Sequence, residues 1–197
     1  ALGPVPLIGS LGGSEIALLE MIKGVRRLRP SWALQAILPG RGPLLDRLEA
    51  VGADCVVLPL PASLARLGES GAHPVALAAG LVPVALALPA YLYQLRKILA
   101  ASRPALLHTN GFKAHIVGAR ATEPSKIVWH MHEYIGARRL TRTMLARHQQ
   151  HVAAMIANSN SVAADLAAAL RPSAPVHVVC NAVDLDTFAP DGPAEDL

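Results

Sequence analysis

Aromatic residues and cysteines are scarce in this sequence of 197 residues. Phe, Trp and Tyr make up 4% of the chain although 52% of it is apolar, so alanine and leucine must supply most of the core. The two cysteines, Cys55 and Cys180, lie in separate apolar runs, which excludes a disulfide scaffold and a zinc site. We therefore expect a globular domain without a metal site, in a reducing, cytoplasmic compartment.

A signal peptide and a strongly basic surface motif are also missing. The N-terminus has no basic region that leads into an apolar stretch. The net charge of +4 is modest, and basic residues are mixed with acids except in the runs 23–29 and 138–147. No recognition motif or aromatic platform accompanies these runs, so we expect no nucleic-acid partner.

One uncharged run, Pro74 to Leu95, is long enough to cross a bilayer. Its composition argues against a span, because alanine inserts weakly, Pro83 and Pro89 interrupt the run and the polar residue Gln94 follows. A buried or interfacial helix is the better interpretation, and contact with a membrane surface stays open.

Strand and helix patterns alternate along the whole chain. Short apolar runs bounded by Gly, Pro or polar residues predict seven strands, at Val5–Gly9, Ala33–Leu38, Asp54–Leu58, Ala105–Thr109, Lys126–His130, Ala153–Ala157 and Val176–Cys180. Helical patterns fill the gaps, and Ser159 is placed to cap the last helix. This pattern predicts an α/β fold: a Rossmann-like, doubly wound parallel sheet of about seven strands that binds ligands beyond the carboxyl ends of its strands.

The segment GSLGGSE, which starts at Gly9, lies between the first predicted strand and a helix. It fails the dinucleotide fingerprint, because Leu11 and Ser14 stand where that motif needs glycine, and it has no Walker lysine. Gly12 and Gly13 nevertheless leave the helix start open, so that backbone N–H groups and the positive helix end can approach an anion. The alternative is a glycine pair that serves only a tight turn.

A family resemblance covers nearly the whole chain. LIGSLGGSEIALLEMIKGV resembles the opening of the retaining family-4 glycosyltransferases of the GT-B fold, in which a strand ends in a glycine pair followed by Ser or Ala and Glu. LPGRGPLLDRLEAVGADCVVLPL, RPALLHTNGFKAH and KIVWHMHEY resemble three further segments of that family, in the same order. IANSNSVAADL and VVCNAVDLDTFAP resemble its last N-terminal helix and the hinge that follows.

The resemblance implies a domain and a site. Residues 1–183 would form the acceptor-side domain and residues 184–197 the start of a linker to a second, donor-binding domain with a Glu-x7-Glu motif. Gly12 and Gly13 would face the diphosphate and the reacting sugar, and His132 would be the active-site histidine. The family generally uses no bound divalent cation, so no metal and no cofactor beyond the nucleotide-diphosphate sugar substrate is expected.

Some positions depart from the family pattern. Pro4 and Pro6 fall in the predicted first strand, where a missing N–H removes ladder bonds. Asn110 stands where many relatives have a second histidine, and Ala182 replaces the glycine of the hinge. None of these departures removes a residue that the resemblance makes catalytic.

Other polar residues near the predicted strand ends are candidates for the acceptor site. Asn110, Lys113 and Glu133 could contact a carbohydrate, lipid-linked or small-molecule acceptor, although a solvated role is the alternative for Lys113 and Glu133. His130 and His108 are interpreted as packed or orienting. The basic run Arg138 to Arg147 suits either a solvated face or peripheral contact with an anionic membrane.

The sequence therefore predicts half of a glycosyltransferase, a fragment without activity by itself. It would transfer a sugar from a nucleotide-diphosphate sugar to an acceptor hydroxyl with retention of configuration. No protein nucleophile is evident, so positioning and electrostatics would carry catalysis. One alternative is a non-catalytic binding module with a Rossmann-like fold. An NAD(P) oxidoreductase is a second alternative with less support, because the dinucleotide fingerprint fails.

Overall fold

The computed structural model describes residues 12–66, 74–123 and 126–182. The predicted strand Val5–Gly9 and the predicted linker 184–197 lie outside these residues. The described chain divides into two compact units, one made of residues 12–37, 41–56 and 181–182, and the other of residues 38–40 and the described residues from 57 to 180.

The first unit contains two helices and most of a two-stranded sheet. Its elements are α1 (Gly13–Leu28), β1 (Gln35–Leu38), α2 (Pro43–Ala50) and β2 (Asp54–Val57), and β1 pairs with β2. The guanidinium of Arg26 joins the end of α1 to the loops beyond it, because it donates to the carbonyls of Trp32, at 2.9 Å, and Gly52, at 2.5 Å. Gly52 has a φ of 80°, a left-handed conformation that glycine adopts without strain.

The second unit contains a four-stranded parallel sheet. In chain order its elements are α3 (Ala62–Arg66), α4 (Pro74–Ser102), β3 (Leu107–Asn110), α5 (Phe112–Ala121), β4 (Ile127–Met131), α6 (Arg139–His148), β5 (Val152–Ala157), α7 (Asn160–Leu170) and β6 (Val176–Val178). The strands are ordered β3-β4-β5-β6, and each pairs in parallel with the next. The described residues thus contain six of the seven predicted strands, and the predicted α/β fold is confirmed.

Helices α5, α6 and α7 cover one face of this sheet. Trp129 and Met131 of β4 are fully buried there against Leu145 of α6 and Leu166 of α7. Helix α5 approaches closely because its Gly118 has no side chain: a Cβ at that position would lie 2.9 Å from Cγ2 of Thr109. Crossover helices on a parallel sheet bury the strands and leave the carboxyl ends open for ligands.

Helix α4 continues through both prolines that interrupt the apolar run. Pro83 and Pro89 lie inside the helix at exposed positions, and each of them removes one backbone N–H and therefore one hydrogen bond of the helix. Arg103 ends the helix with a φ of 46°, and its amide donates to the carbonyl of Leu99 at 2.8 Å. Among the described helices, none is long and apolar enough to span a membrane.

Candidate active site

Three histidines line one face of β3 and β4. His108 of β3 and His130 of β4 meet edge to face with ring centroids 5.3 Å apart, and the ring of His132, just beyond β4, lies 4.1 Å from that of His130. Asn110 pairs in register with His130, so its side chain leaves the sheet on the same face. The sheet therefore brings His132 and Asn110, two of the predicted site residues, to one face and one end.

Burial keeps two members of this row, His108 and His130, neutral. His130 is 5% exposed, and neither of its ring nitrogens has a hydrogen-bond partner among the described residues. Burial, aided by the neighbouring His132, lowers the pKa of His130 and that of His108 to about 4. Both rings are therefore uncharged at neutral pH and can accept or donate one hydrogen bond.

A fourth histidine, His115 of α5, lies on the opposite face of the sheet. Its Nδ1 donates to Oγ1 of Thr109 at 2.7 Å, since the Thr109 hydroxyl itself donates to the carbonyl of Val128. The ring stacks on Trp129 with centroids 5.3 Å apart, and burial lowers its pKa to about 3. His115 is thus a neutral core residue that ties α5 to β3, a role that the sequence did not indicate.

The loop that carries His132 is attached to the turn before α7 and to the first two turns of that helix. Nδ2 of Asn158 donates to the carbonyl of His132 at 3.4 Å, and the hydroxyl of Tyr134 donates to Oγ of Ser161 at 3.0 Å. The amides of Ile135 and Gly136 donate to the carboxylate of Asp165. Ser159, as predicted, caps α7 by accepting from the amide of Val162 at 3.2 Å.

The predicted acceptor residues Glu133 and Lys113 both have protein partners. The carboxylate of Glu133 pairs with the guanidinium of Arg138 at 2.6 Å, and that guanidinium lies over the ring of Phe112 at the start of α5. The ammonium of Lys113 donates to the carbonyl of Ala65 in α3. Contact of either residue with an acceptor stays a prediction. Such contact requires that Glu133 or Lys113 gives up its present protein partner and binds the acceptor instead.

Gly12 and Gly13 begin α1 as the sequence predicts. Gly12 is the N-cap residue without a side-chain cap, and Gly13 is the first helical residue. A Cβ at Gly13 would have none of the described residues within 4 Å, whereas a Cβ at Gly12 would lie 2.7 Å from Oε2 of Glu15. The helix start is therefore open at Gly13, and the carboxylate of Glu15 already lies beside Gly12.

The sequence patterns did not predict the hydrogen bonds that attach the loop of His132 to Asp165. Asp165 is the one acidic residue between Glu133 and Asp184, inside an alanine-rich helix. A single carboxylate in an alanine-rich helix can indicate a specific hydrogen-bonding role, but the sequence does not show which backbone amides bind to it. Among the residues that the structure describes, no group of three or more His, Cys, Asp or Glu side chains is arranged to hold a metal ion.

The sequence profile of Glycosyltransferase Family 4 matches residues 12–187, a range that includes the glycine pair, the histidine row and the loop after β4. Because the match covers most of the chain, the chain belongs to this family, and its fold is that of an N-terminal domain of GT-B glycosyltransferases. Among curated protein sequences, none matches the chain significantly.

Solved structures of HepE from Anabaena have a similar fold. The chain aligns over 91% of its length with HepE in complex with UDP, at 20% identity and a TM-score of 0.60. For HepE in complex with UDP and glucose the identity is 19% and the TM-score 0.59, and for HepE in complex with UDP-glucose 19% and 0.61. The chain spans less than half of these proteins, 43% or 44% of their length.

Proposed function

We propose that the chain is the acceptor-side half of a glycosyltransferase that transfers a sugar from a nucleotide-diphosphate sugar to an acceptor hydroxyl with retention of configuration. The observation that carries this proposal is the family match, which includes both the glycine pair and the His132 loop. The structures of HepE with UDP and UDP-glucose support a nucleotide-sugar donor.

The proposal includes the division of the protein into two domains. In this proposal residues 1–183 are the acceptor-side domain, and residues 184–197 lead to a donor-binding domain that completes the site. The chain spans 43% of HepE, which supports such a second half. By itself the chain is then expected to bind donor weakly and to transfer no sugar.

The start of α1 is the proposed site of the donor diphosphate. An open first turn offers backbone N–H groups and the positive end of the helix dipole to an anion. The open space at Gly13 allows a phosphate to come close, provided that the flexible side chain of Glu15 turns away from the helix start. The preorganised dipole of α1 would then stabilise the negative charge of the departing diphosphate.

His132 is the proposed catalytic residue. An imidazole at the carboxyl end of β4 can donate a hydrogen bond to a sugar hydroxyl near the reacting carbon, and the ring of His130 packs against it at 4.1 Å. Asn110, Lys113 and Glu133 remain the proposed acceptor contacts. Catalysis rests on positioning and on the field at the helix start, because no residue of the site is assigned as a covalent nucleophile.

Peripheral contact with an anionic membrane is also part of the proposal. Val82, Leu86 and Tyr93 of α4 are 63%, 77% and 65% exposed, and their spacings of four and seven residues place them on one side of the helix. Contiguous exposed apolar residues mark an interaction surface.

The charge distribution favours an anionic lipid surface as the occupant of this helix face. Residues 70–164 contain ten Lys and Arg but two acids, whereas the rest of the chain contains eight Lys and Arg and twelve acids. Both acids of the basic segment are ion-paired, Glu123 with Lys126 and Glu133 with Arg138. Each basic residue near an anionic membrane contributes on the order of 1 kcal/mol.

The glycine substitution Gly13→Val in the full-length enzyme tests the proposed function. A valine at position 13 would contact none of the described residues, so we expect the fold to be retained, but its methyl groups would block the approach of a phosphate. We expect donor use to fall on the order of 100-fold, measured as kcat/KM for the nucleotide sugar. Gly24→Val is the matched control, since Gly24 lies in the same helix with nothing within 4 Å of its Cβ position. Equal activity of both variants would contradict the diphosphate site.

Vesicle sedimentation tests the membrane contact. The domain should sediment with vesicles that contain phosphatidylglycerol, be released by salt and stay in solution with phosphatidylcholine alone. Leu86→Glu should abolish sedimentation, whereas Leu28→Glu, at a 68% exposed position of α1, should not change it. Equal recovery with both kinds of vesicle would contradict the membrane proposal without affecting the donor site.

A further inference from the structure

The carboxylate of Asp165 holds two consecutive backbone amides of the loop after β4. Its Oδ2 accepts from the amide of Ile135 at 2.6 Å and from that of Gly136 at 3.1 Å, and its Oδ1 lies 3.3 Å from the latter. Asp165 is in the second turn of α7, so the anchor is part of a helix that packs on the sheet. The two amides lie three and four residues beyond His132.

The glycine at position 136 is required for this contact. A Cβ on Gly136 would lie 2.6 Å from Oδ1 of Asp165, which is closer than side-chain carbons come to an oxygen. Ile135 is fixed as well, since its side chain is fully buried in the core cluster of the sheet. The loop is therefore held by its backbone through Asp165 and by its side chain through Ile135.

The carboxylate has no ion pair that would explain its position. Within the described part of the chain the three salt bridges involve Glu20, Glu123 and Glu133, not Asp165. Its hydrogen bonds go to the amides of the loop, although four arginines, Arg138, Arg139, Arg142 and Arg147, follow in the next turn and in α6. A carboxylate that accepts backbone amides sets a backbone conformation, which a flexible arginine pair would not do.

The rest of the loop depends on this anchor. Upstream of Ile135, the side chains of Glu133 and Tyr134 are exposed. The hydrogen bond from Asn158, in the turn before α7, to the carbonyl of His132 is 3.4 Å long, and the one from Tyr134 to Ser161 of α7 is 3.0 Å long. The shortest bond between the loop and α7 is the one from Ile135 to Asp165. Release of that bond would let the segment between Met131 and Ile135 move, and His132 lies at its start.

We infer that Asp165 is a positioning residue for the transfer reaction: it fixes the loop after β4 so that His132 leaves the sheet in one orientation. The inference rests on the proposed function of His132. Asp165 itself contacts neither substrate nor the reacting atoms. A displacement of about 1 Å in a catalytic group lowers rates by about 100-fold, so the loss of this anchor should act on turnover.

The test compares Asp165→Asn and Asp165→Ala in the full-length enzyme. The asparagine keeps the shape and one acceptor oxygen, whereas the alanine keeps neither. We expect kcat to fall about tenfold in Asp165→Asn and about 100-fold in Asp165→Ala, with the KM for the donor changed by less than about twofold. Asp54→Asn, the same change at an exposed carboxylate that accepts from Gln35, is the matched control and should leave kcat unchanged.

Amide hydrogen exchange separates positioning from general stability. In Asp165→Ala the amides of Ile135 and Gly136 should exchange faster, while that of Met155, inside β5, should keep its wild-type rate. Faster exchange with a wild-type kcat would overturn the inference, and so would faster exchange at all three amides. Unchanged exchange at Ile135 and Gly136 overturns it whatever the activity. A wild-type enzyme that transfers no sugar overturns the proposed function instead.

Discussion

The two faces of strand β4 differ in the kind of side chain that they bury. On one face Ile127, Trp129 and Met131 are fully buried, mostly among apolar side chains of α5, α6 and α7, and the ring of His115 stacks on Trp129. Among the described residues, Nε1 of Trp129 and Nε2 of His115 have no hydrogen-bond partner on this face. On the other face His130 is nearly as buried, but its two ring nitrogens have no hydrogen-bond partner among the described residues. Both faces belong to the same five-residue strand.

The difference separates stability from function. Buried polar groups without partners lower stability, and the histidine face gathers three of them on the neighbouring rings of His108 and His130, where a ligand or water could bind them. The apolar face stabilises the fold, whereas the histidine face, which continues to His132, has the properties of a binding surface. Four predictions test this contrast, from the largest expected effect to the smallest.

The largest effect of a single substitution is expected on the apolar face. Trp129→Ala leaves a cavity under α5 and should lower the free energy of unfolding by about 3–5 kcal/mol. Urea unfolding followed by circular dichroism measures the change. The other tryptophan, Trp32, is 55% exposed, so Trp32→Ala should change the free energy by less than about 0.5 kcal/mol. Similar losses in the two variants would show that the apolar face is not the principal core.

On the histidine face the expected effect is on rate. His132→Ala in the full-length enzyme should lower turnover about 100-fold, since a positioned imidazole contributes about that factor to a transition state. Nucleotide affinity should change little, and the unfolding transition should stay in place. His177→Ala, at an exposed position of β6, is the control. Wild-type turnover in His132→Ala would make His132 a loop residue without a catalytic role.

Acid should destabilise the domain through the same histidines. Burial lowers the pKa of His108 and His130 to about 4 and that of His115 to about 3. Below about pH 6.5 the unfolded chain binds protons that the folded domain does not. The free energy of unfolding therefore falls as pH decreases from about 6.5 to about 4, by at most about 1.4 kcal/mol per pH unit for each histidine.

Urea unfolding at about pH 7 and about pH 5 measures this dependence. Replacing His130 by leucine should reduce the slope, because one of the three proton-binding sites is lost, whereas His177→Ala should not affect it through this mechanism. A domain that is equally stable at both pH values would show that the histidines are not buried in solution.

The smallest effect is a gain. His130→Leu removes two buried nitrogens that have no partner among the described residues, so the domain at neutral pH should become more stable by up to about 1 kcal/mol. The same variant should transfer sugar more slowly, because His130 packs on His132. A thermal melt and an activity assay measure the two effects. A destabilisation of more than about 1 kcal/mol would mean that the nitrogens of His130 have partners in solution.

Local features of the fold were predictable. The segment KIVWHMHEY alternates as a strand does, which was enough to predict β4 within one residue at each end and to place His130 and His132 on one face. Ser159 followed by a helical pattern was enough to predict the cap of α7. These features depend on contacts between residues close in sequence, which propensities and patterns describe.

The predictions for single side chains were less complete. Lys113 was predicted to reach towards an acceptor, but its ammonium also meets the carbonyl of Ala65, 48 residues away in sequence. The prolines of α4 interrupt its apolar run without interrupting the helix, because the surroundings of a long helix override a local preference. Such outcomes depend on which elements pack together, and the sequence pattern does not contain that information.

The sequence by itself determined the alternation of strands and helices, the glycine start of α1 and the family. Each of these depends on residues that are neighbours along the chain. The tertiary structure alone decided that His108 joins His130 and His132 in one row, because the register of β3 against β4 is set by packing across the sheet. It also decided that Asp165 holds the loop of His132, 33 positions earlier in the chain, through two backbone amides. Hydrogen bonds between residues so far apart in sequence form only after the core has brought their elements together, and for that reason no local sequence pattern predicts them.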